Sequence, residues 1–511
     1  MSIARSELNE QRAKTVLRAI VILYLVLGAL YAVLTPAWQV PDEPAHYNYV
    51  EYVRQHGSLP ELRLGDFPAA YLEEIKAKRF PPGMPVEALR YESHQPPLYY
   101  VLAAGVYRLA HDMLGLPMPL ALRAFSLLLG AASLIAAFRL VRALCPGEPV
   151  LALGTVAFAA TLPMHLAMTA AVNNDVLAEL LVNVIIWQLV AMSADDWSPR
   201  RSLALGALLG LAFMTKMQSY VALGVAAFAL LWDTLTVWRD GRGAPASADR
   251  PSPWRGALLQ GGILLGAMCL VSLPWLARNA ALYGPGDLFA LARHDQVVAG
   301  QLTSAQYVAQ HGWSALVSSL VVTTFHSFWA QFGWMGVVLP DRVYLTLALL
   351  SALAAIGVAL RLWRMWRSAE RPPRASVRGL ALLLLWAALT TLGYLWWNTK
   401  FLQHQGRYLF PALVPWGLAF TLGLRELVRR PLGPKLAAFG IASLALLAAG
   451  LIGGDVRGFS LALLAGAAAL TALGHWLEQR WPGLALACVY LGLAAFAAFC
   501  VYGYIIPNLR P

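Results

Sequence analysis

Apolar runs long enough to cross a membrane recur from one end of the 511-residue chain to the other. A transmembrane helix needs about 20 mostly apolar residues, because a helix rises only about 1.5 Å per residue. About 13 runs approach this requirement. They are Val16–Thr35, Leu120–Leu144, Leu151–Ala170, Val176–Met192, Ser202–Thr215, Ser219–Val237, Ala257–Leu276, Tyr344–Leu362, Leu380–Trp397, Tyr408–Leu427, Leu436–Ile452, Ser460–Leu473 and Leu484–Ile505. The pattern predicts an all-α polytopic membrane protein.

Composition excludes an ordinary soluble enzyme. Only 13% of the residues are charged and 59% are hydrophobic, whereas soluble domains are about a quarter charged. The first apolar run is longer than a typical signal-peptide core and lacks a clean cleavage site, so we expect an uncleaved anchor. The four cysteines have neither metal-ligand nor CxxC spacing and are expected to be small packing residues. They are Cys145, Cys269, Cys488 and Cys500.

Arginine and lysine accumulate in every second connection between the apolar runs. They precede the first run and occupy the connections 139–142, 200–201, 239–255, 361–378 and 425–435. Positively charged loops are retained in the cytoplasm during insertion. We therefore expect a multi-pass protein of the bacterial inner (plasma) membrane with a cytoplasmic N-terminus. The same asymmetry explains the net charge of +12, so no nucleic-acid partner is expected.

Two long loops are then expected on the opposite, periplasmic or extracellular side, residues 36–119 and residues 277–340. The first loop contains the apolar segment Pro96–Leu114, which also includes three ionisable residues. Counting this segment as a span would invert every later loop, so we interpret it as a juxtamembrane helix on the outer side. The segment Val317–Leu339 is ambiguous between a span and part of the second loop.

An acidic motif, Pro41-Asp42-Glu43-Pro44-Ala45-His46, directly follows the first span. If a helix begins here, Asp42 and His46 share one of its faces. Asp42 alone is compatible with a helix cap whose first turn contains Pro44. A cap does not require Glu43 or His46, however, and ionisable residues at a membrane boundary are costly. We therefore favour a functional site.

Two further polar clusters fall on the same expected side. One is the segment Glu92–Tyr100, and the other is Asn173–Asp175. Tyr99 and Tyr100 taken singly are typical of an interfacial aromatic belt, and Asn173–Asp175 is compatible with a turn that caps the next helix. His94, Asn174 and Asp175 are nevertheless site candidates, because they share a side with Asp42.

Basic residues also lie at the outer ends of the spans. Lys216 and Arg278 each lie at the boundary of a span, and Lys400, His404 and Arg407 occupy one later connection. A single basic residue at a membrane edge usually extends toward the headgroups and is structural. Several basic groups facing a set of carboxylates suit a phosphate leaving group beside a general base.

Together these segments resemble the integral-membrane glycosyltransferases with the GT-C fold. The resemblance is to the branch that holds protein O-mannosyltransferases, the lipid A aminoarabinose transferase and related bacterial proteins. It covers residues 1–415, and residues 416–511 form C-terminal helices to which it gives no role. The motifs that carry it, in order, are Pro41–His46, His94–Tyr100, Asn174–Asp175, Trp275–Asn279 and Gln405–Pro411.

The resemblance implies an inverting transfer of a sugar from a polyprenyl-phosphate donor to a glycan, lipid or protein acceptor. Asp42, with Glu43, would be the catalytic carboxylate that activates the acceptor. The implied acceptor-orienting or metal-orienting residues are His46, His94, Asn174 and Asp175. The implied donor phosphate-binding residues are Arg407, Lys216, Arg278, Lys400 and His404. A divalent cation (Mg²⁺ or Mn²⁺) stays open as a cofactor, with Asp42, Glu43 and Asp175 as its ligands.

Two other classes of membrane protein remain as alternatives. An oligosaccharide ligase or polymerase with a lipid-diphosphate donor would share the basic residues, but the early acidic motif favours the transferase. A transporter or flippase would bury charges in mid-span and break helices in paired positions. In this sequence the charges gather at outer boundaries instead. Nucleotide sugars are cytoplasmic, so a lipid-linked donor suits a site on the outer side.

Overall fold

A computed structural model of the chain describes residues 2–241, 252–367, 373–429 and 431–510. It confirms the predicted all-α polytopic class. The described residues contain one small antiparallel sheet, made of β1 (Gln331–Phe332) and β2 (Val337–Val338). The helices are α1 Ser2–Leu34, α2 Glu43–His56, α3 Ala69–Ala77, α4 Leu98–Tyr107, α5 Leu120–Leu144, α6 Pro149–Thr161, α7 Pro163–Thr169, α8 Asp175–Ala191, α9 Pro199–Phe213, α10 Val221–Gly241, α11 Pro253–Tyr283, α12 Leu291–Val297, α13 Ser304–Trp329, α14 Asp341–Arg367, α15 Arg374–Lys400, α16 Leu413–Val428, α17 Gly433–Gly453, α18 Gly458–Arg480, α19 Leu484–Cys500 and α20 Ile506–Leu509.

In the described part of the chain, nine helices are long and apolar enough to cross a membrane, and the bent pair α6–α7 makes up to ten. The expected count of about 13 is not confirmed. Three of the predicted runs form the helices α8, α9 and α16, which have 17, 15 and 16 residues. These helices fall short of the roughly 20 residues that a bilayer requires.

The connections predicted to be basic lie only partly within the described residues. Residues 242–251 of the connection 239–255 and residues 368–372 of the connection 361–378 lie outside the described residues, as does residue 430. Elsewhere, the Arg142 guanidinium pairs with Glu10 at 3.0 Å. Arg425 pairs with Glu148 at 2.5 Å. These pairs lie at the end of the bundle opposite to the loop that follows α1.

Long helices pack closely where small residues meet, as is usual between helices in membranes. Gly357 of α14 faces Gly423 of α16, and a Cβ atom at either position would overlap the backbone of the opposite helix. This contact ties α16 to α14. The boundary predicted after residue 415 falls inside α16, and it remains a prediction.

The loop 36–119 forms a cap over one end of the bundle, which we call the loop end. It contains α2, α3, a 3₁₀ turn (Tyr91–His94) and α4. A small apolar core of its own, with Leu72, Ile75 and Leu89, holds it together. The segment Pro96–Leu114 forms α4 and a π-helical turn and is not among the helices long enough to cross a membrane. The ambiguous segment Val317–Leu339 forms the end of α13 and the β1–β2 hairpin.

The prediction that the cysteines are packing residues is only partly confirmed. Cys500 is buried, whereas Cys269 and Cys488 are exposed on helix surfaces and Cys145 is partly exposed. An apolar environment outside the bundle accepts a small apolar side chain as readily as the core does. Hydropathy therefore did not show which face of each helix carries the thiol.

Substitution of Gly357 by alanine is expected to destabilise the protein. The new methyl group would force α14 away from α16, and overpacking of this kind costs about 1–3 kcal/mol. Gly440→Ala in α17 is the matched control, because a Cβ there meets no atom within 4 Å. Thermal unfolding of the detergent-solubilised variants measures the difference. Equal stability of the two variants would contradict the close approach of α14 and α16.

Candidate active site

A cavity of about 790 Å³ opens at the loop end, between the cap and the bundle. Its walls come from the acidic motif, the 3₁₀ turn before α4, the start of α10, one face of α15 and the segment that leads into α16. Five of the residues predicted from sequence line it, and they are Asp42, His46, His94, Lys216 and Arg407. The fold therefore gathers residues from four distant parts of the chain.

Asp42 occupies the position before the first residue of α2, but its side chain makes no capping hydrogen bond. Its backbone is left-handed, with φ of 68°, a conformation that is uncommon for residues other than glycine. One carboxylate oxygen accepts a hydrogen bond from Arg407 Nη2 at 2.5 Å. The other accepts from the Tyr91 hydroxyl at 3.0 Å. The simple capping interpretation is therefore wrong, and the strained backbone turns the carboxylate into the cavity.

The ion pair fixes the charge state of the Asp42 carboxylate. Burial alone would raise the pKa of Asp42, but the charge and the hydrogen bond of the Arg407 guanidinium, together with the hydrogen bond from Tyr91, hold this pKa below its usual range. The side chains of Arg407 and Asp42 are 6% and 23% exposed. This difference leaves the carboxylate the more accessible member of the pair. Arg407 Nε is buried and has no hydrogen-bond partner in the described structure.

A second ion pair lies beside the first. Lys216 Nζ contacts Asp175 Oδ1 at 2.7 Å and donates to Asn174 Oδ1 at 3.1 Å. Asn174 in turn donates to the backbone carbonyl of Thr215. The predicted Asn-Asp turn therefore starts α8 and also positions the Lys216 ammonium at the cavity wall.

The two predicted histidines are held as neutral rings. Burial lowers the pKa of His46 to about 3, with a further contribution from the charge of Lys216. Burial also lowers the pKa of His94 well below its usual value. His46 Nδ1 lies 2.7 Å from the Tyr100 hydroxyl. Neutral imidazoles suit hydrogen bonding to a substrate better than pairing with its charge.

Tyr99 and Tyr100 do not form an interfacial belt, which corrects that expectation. Both side chains are completely buried, and Tyr99 shares a hydrogen bond with Ser126 at 2.9 Å. The tyrosines lie beneath the cavity because α4 packs inward against α2 and α5. A proline pair followed by aromatic residues could not distinguish this position from the membrane interface.

Glu43 does not line the cavity. Its side chain is completely buried and forms a two-pronged pair with Arg123, at 2.7 and 2.6 Å. The backbone N–H groups of Trp38 and Val172 also donate to it. With all its acceptor capacity used by the protein, Glu43 is placed as a structural anchor and not as the catalytic group that the sequence suggested.

Three predicted phosphate-binding residues also lie outside the cavity lining. Arg278 donates to the carbonyl oxygens of Leu59 and Pro60. Lys400 pairs with Asp295 at 3.3 Å, and His404 Nδ1 lies 2.9 Å from Ser319 Oγ. Each has a partner within the protein outside the cavity, so the structure leaves Arg407 and Lys216 as the basic groups at the acidic motif.

Several lining residues received no role from the sequence, among them Tyr91, Glu92 and Gln95. Tyr91 and Glu92 lie on the 3₁₀ turn that brings His94 to the cavity. The signal that could have identified them is their position directly before the paired prolines. A short segment directly beside a conspicuous motif lies on the same cavity wall as the motif.

The residues present do not suit the divalent cation that was left open. Asp42 is bound by Arg407, Asp175 is bound by Lys216, and Glu43 lies apart from both with Arg123. Within the described ranges, no group of three or more His, Cys, Asp or Glu side chains is arranged to hold a metal ion. Cationic side chains occupy the positions at which a metal would contact these carboxylates.

A comparison with known protein families shows the family to which the chain belongs. A family model described as "Predicted membrane protein (DUF2142)" matches residues 86–415, which is more than half of the chain. The chain belongs to the DUF2142 family. The matched range includes the 3₁₀ turn, the Asn-Asp turn, Lys216 and Arg407, but not Asp42. Among curated protein sequences, none matches this DUF2142 protein.

Solved structures show the fold of this DUF2142 protein. ArnT from Cupriavidus metallidurans in the apo state aligns with a TM-score of 0.54 and 16% identity, over 96% of this chain and 77% of that one. ArnT bound to undecaprenyl phosphate aligns with a TM-score of 0.52 and 17% identity, over 95% of this chain and 76% of that one. At such identities the likeness shows a shared fold, and the predicted GT-C fold is confirmed.

Substitution of Glu43 by glutamine is expected to destabilise the protein, because Arg123 would become an unpaired buried charge. Breaking one partner of a buried pair costs about 3–5 kcal/mol. Glu73→Gln is the control, because Glu73 is mostly exposed in its pair with Lys76 and such pairs contribute at most about 1 kcal/mol. Thermal unfolding compares the two. A Glu43→Gln variant as stable as Glu73→Gln would show that Glu43 is not the anchor.

Proposed function

We propose that this protein is an inverting glycosyltransferase that moves a sugar from a polyprenyl-phosphate donor to an acceptor. The observation that carries this proposal is the contact between Asp42 and Arg407 in the wall of a large cavity. A carboxylate suits the activation of a hydroxyl or amine nucleophile. A guanidinium suits a phosphate leaving group, because its fork matches two phosphate oxygens.

Arg407 and Lys216 are the proposed phosphate-binding groups. The free Nε–H of Arg407 offers a donor that the protein does not use. Lys216 adds a second positive charge beside the same motif. Charge that grows on the departing phosphate would be stabilised by these preorganised cations.

Donor binding would also prepare Asp42 as a base. While Arg407 contacts the carboxylate, the low pKa of Asp42 makes it a weak proton acceptor. A phosphate that draws Arg407 away would weaken this effect, and the pKa of Asp42 would rise toward the operating pH. The acceptor oxygen or nitrogen then bonds to the anomeric carbon as the bond from that carbon to the phosphate oxygen breaks. The acceptor proton passes to Asp42, and the electron pair leaves with the lipid phosphate.

The charges of the cavity favour a monophosphate donor over a lipid diphosphate. Each basic side chain of the lining already has a carboxylate partner: Arg407 has Asp42, Lys216 has Asp175 and Lys76 has Glu73. A diphosphate would bring a second phosphate group into this balanced site. Its added charge would need further cations, because unpaired charge in a cavity is costly. The ligase alternative is weaker for this reason.

One feature of the structure is typical of transporters. The break between α6 and α7 bends the chain by 69°, and the buried pair of His165 and Glu179 lies beside it. Transporters of the inverted-repeat type carry such breaks in corresponding positions of two halves. The described residues contain one bent pair of this kind. A single break of this kind does not match the paired breaks of such transporters.

The site is proposed to face the periplasm or the extracellular space of a bacterial inner membrane. Asp42 follows the end of α1, whereas the basic residues Arg142 and Arg425 lie at the opposite end of the bundle. Basic ends are retained in the cytoplasm. A lipid-linked sugar is the donor that reaches an enzyme on the other side.

Radiolabelled transfer from a panel of polyprenyl-phosphate sugars to membrane extracts tests the proposal. Asp42→Asn is expected to lower the transfer rate by about 10²–10⁴, the usual contribution of a general base. Lys400→Ala is the control and is expected to retain activity, because Lys400 lies outside the cavity. Full activity in a folded Asp42→Asn protein would remove Asp42 from the mechanism. If the wild type transfers no sugar from any donor of the panel, the proposal of a transferase is refuted.

A further prediction concerns the lipid tail of the donor. Thr390, Gly393, Tyr394 and Trp397 lie on one face of α15 and line the cavity, as their helical spacing allows. A Cβ at Gly393 would meet no atom within 4 Å, so this face has free space for an alkyl chain.

Gly393→Leu is expected to fill this space and raise the KM for a long-chain donor by about tenfold or more, the usual effect of a misfit in an apolar pocket. A donor with a truncated lipid should be affected less. Gly393→Ala serves as the matched control. Steady-state kinetics with both donors decide the outcome, and an equal effect on the long and short donors would contradict a tail groove on α15.

A further inference from the structure

Glu92 differs from the other charged residues that line the cavity. The charged lining residues in the described structure, apart from histidines, are Asp42, Glu73, Lys76, Glu92, Lys216 and Arg407. Three cations among them are matched by three carboxylates, namely Asp42, Glu73 and the neighbouring Asp175. Glu92 has no salt-bridge partner among them. It is the carboxylate that the internal pairing leaves over.

One oxygen of Glu92 also lacks a hydrogen bond. Glu92 Oε2 is buried and has no hydrogen-bond donor within the described residues. Buried polar atoms are almost always satisfied, and an exception in a native site calls for an explanation. The Gln95 amide is close enough to hydrogen bond to the carboxylate, but it leaves Oε2 free. Glu92 also lines the cavity, so the cavity is the side from which a bound molecule can supply the missing donor.

The position of Glu92 relates it to the reaction centre. It follows Tyr91, whose hydroxyl donates to Asp42 at 3.0 Å. Its carboxylate is close enough to interact electrostatically with Asp42, Lys216 and Arg407. If Arg407 and Lys216 hold the phosphate, the sugar that is bonded to this phosphate lies among the same groups. The ring of the transferred sugar is then the part of the ligand nearest to Glu92.

We propose that Glu92 binds a hydrogen-bond-donating group, an O–H or N–H, of the transferred sugar and thereby determines which sugar the site accepts. This assignment rests on the proposed transferase function and deepens it. A site built to hydrogen-bond one substrate group rejects an analogue without that group strongly, because its own polar atom is left unpaired. Glu92 would therefore act as a specificity-determining residue.

The electrostatics of Glu92 agree with an incomplete site. Burial raises the pKa of Glu92 to about 7, and the negative charge of Asp42 contributes in the same direction. Lys216, Gln95 and Arg407 lower it by smaller amounts. A ligand that donates a hydrogen bond to the carboxylate would stabilise the charged form.

Binding of two kinds of ligand separates this role from phosphate binding. The ligands are polyprenyl phosphate without a sugar and a panel of polyprenyl-phosphate sugars, including pairs that differ by one hydroxyl or amino group. The proteins are the wild type, Glu92→Ala and Glu92→Gln, each checked for folding by thermal unfolding. Glu73→Ala is the control, because Glu73 lines the same cavity but is paired with Lys76.

The wild type is expected to discriminate by at least about 100-fold against one analogue that lacks a single donor group. Glu92→Ala should abolish this discrimination and leave the affinity for sugar-free polyprenyl phosphate within about twofold. Glu92→Gln retains an acceptor oxygen and should keep part of the discrimination. Glu73→Ala should keep the discrimination of the wild type among the sugars, because its change in charge does not involve Glu92.

Three results would overturn the assignment. An equal loss of affinity for sugar-free and sugar-bearing lipids in Glu92→Ala would show an effect on phosphate binding or folding. Unchanged discrimination among the sugars in Glu92→Ala would show that Glu92 does not determine which sugar is bound. In both cases the transferase proposal would stand. Failure of the wild type to bind polyprenyl phosphate or any sugar-bearing donor would refute the proposed function and this assignment with it.

Discussion

A charged side chain that leaves water must be neutralised by a partner, and this constraint organises the loop end of the protein. Buried charges are tolerated when they are paired and hydrogen-bonded. Here each pair joins parts of the chain that are distant in sequence: Asp42 with Arg407, Glu43 with Arg123, and Asp175 with Lys216. The pairs thus connect the cap, α5, α8 and the segment before α16. The cavity exists because these elements are held around it.

Asp42 and Glu43 show how two neighbouring carboxylates acquire different tasks. The left-handed backbone at Asp42 turns its side chain into the cavity, whereas Glu43 begins α2 and points into the bundle. Glu43 and Arg123 together contact the carbonyl of Thr35 at the end of α1 and the N–H of Val172 before α8. The buried pair therefore anchors the short segment that presents Asp42. The chemistry that we propose depends on this anchor as much as on Asp42 itself.

The sequence predicted the fold class because long apolar runs have few alternatives in a membrane. Ionisable residues near a membrane boundary are functional candidates, and this made Asp42 and His46 candidates for a site. The grouping of these residues with His94, Lys216 and Arg407 in one site came from the resemblance to the GT-C glycosyltransferases. The sequence could not predict which way each side chain points, and therefore which candidates line the cavity. Four other candidates are ionisable residues near the same membrane boundary, but their side chains contact partners elsewhere in the protein. They are Glu43, Arg278, Lys400 and His404.

Further features also depend on tertiary structure that the sequence does not show. Tyr99 and Tyr100 are buried because α4 packs inward, a tertiary effect that hydropathy cannot show. The helices α8, α9 and α16 are shorter than a full span, although their sequences are as apolar as those of longer helices. Glu92 was visible in the sequence, but its importance lies in an oxygen that has no partner. Such an absence becomes apparent only when all neighbouring contacts are known.

In the mechanism that we propose, Arg407 exchanges the Asp42 carboxylate for the phosphate of a lipid donor. The most direct test is an experimental structure of the full chain with polyprenyl phosphate in a lipid nanodisc. We expect the phosphate to contact Arg407 and Lys216, the lipid tail to follow α15, and the Asp42 carboxylate to be released from Arg407. A phosphate bound at Lys400 or His404, with the contact between Asp42 and Arg407 unchanged, would overturn this mechanism.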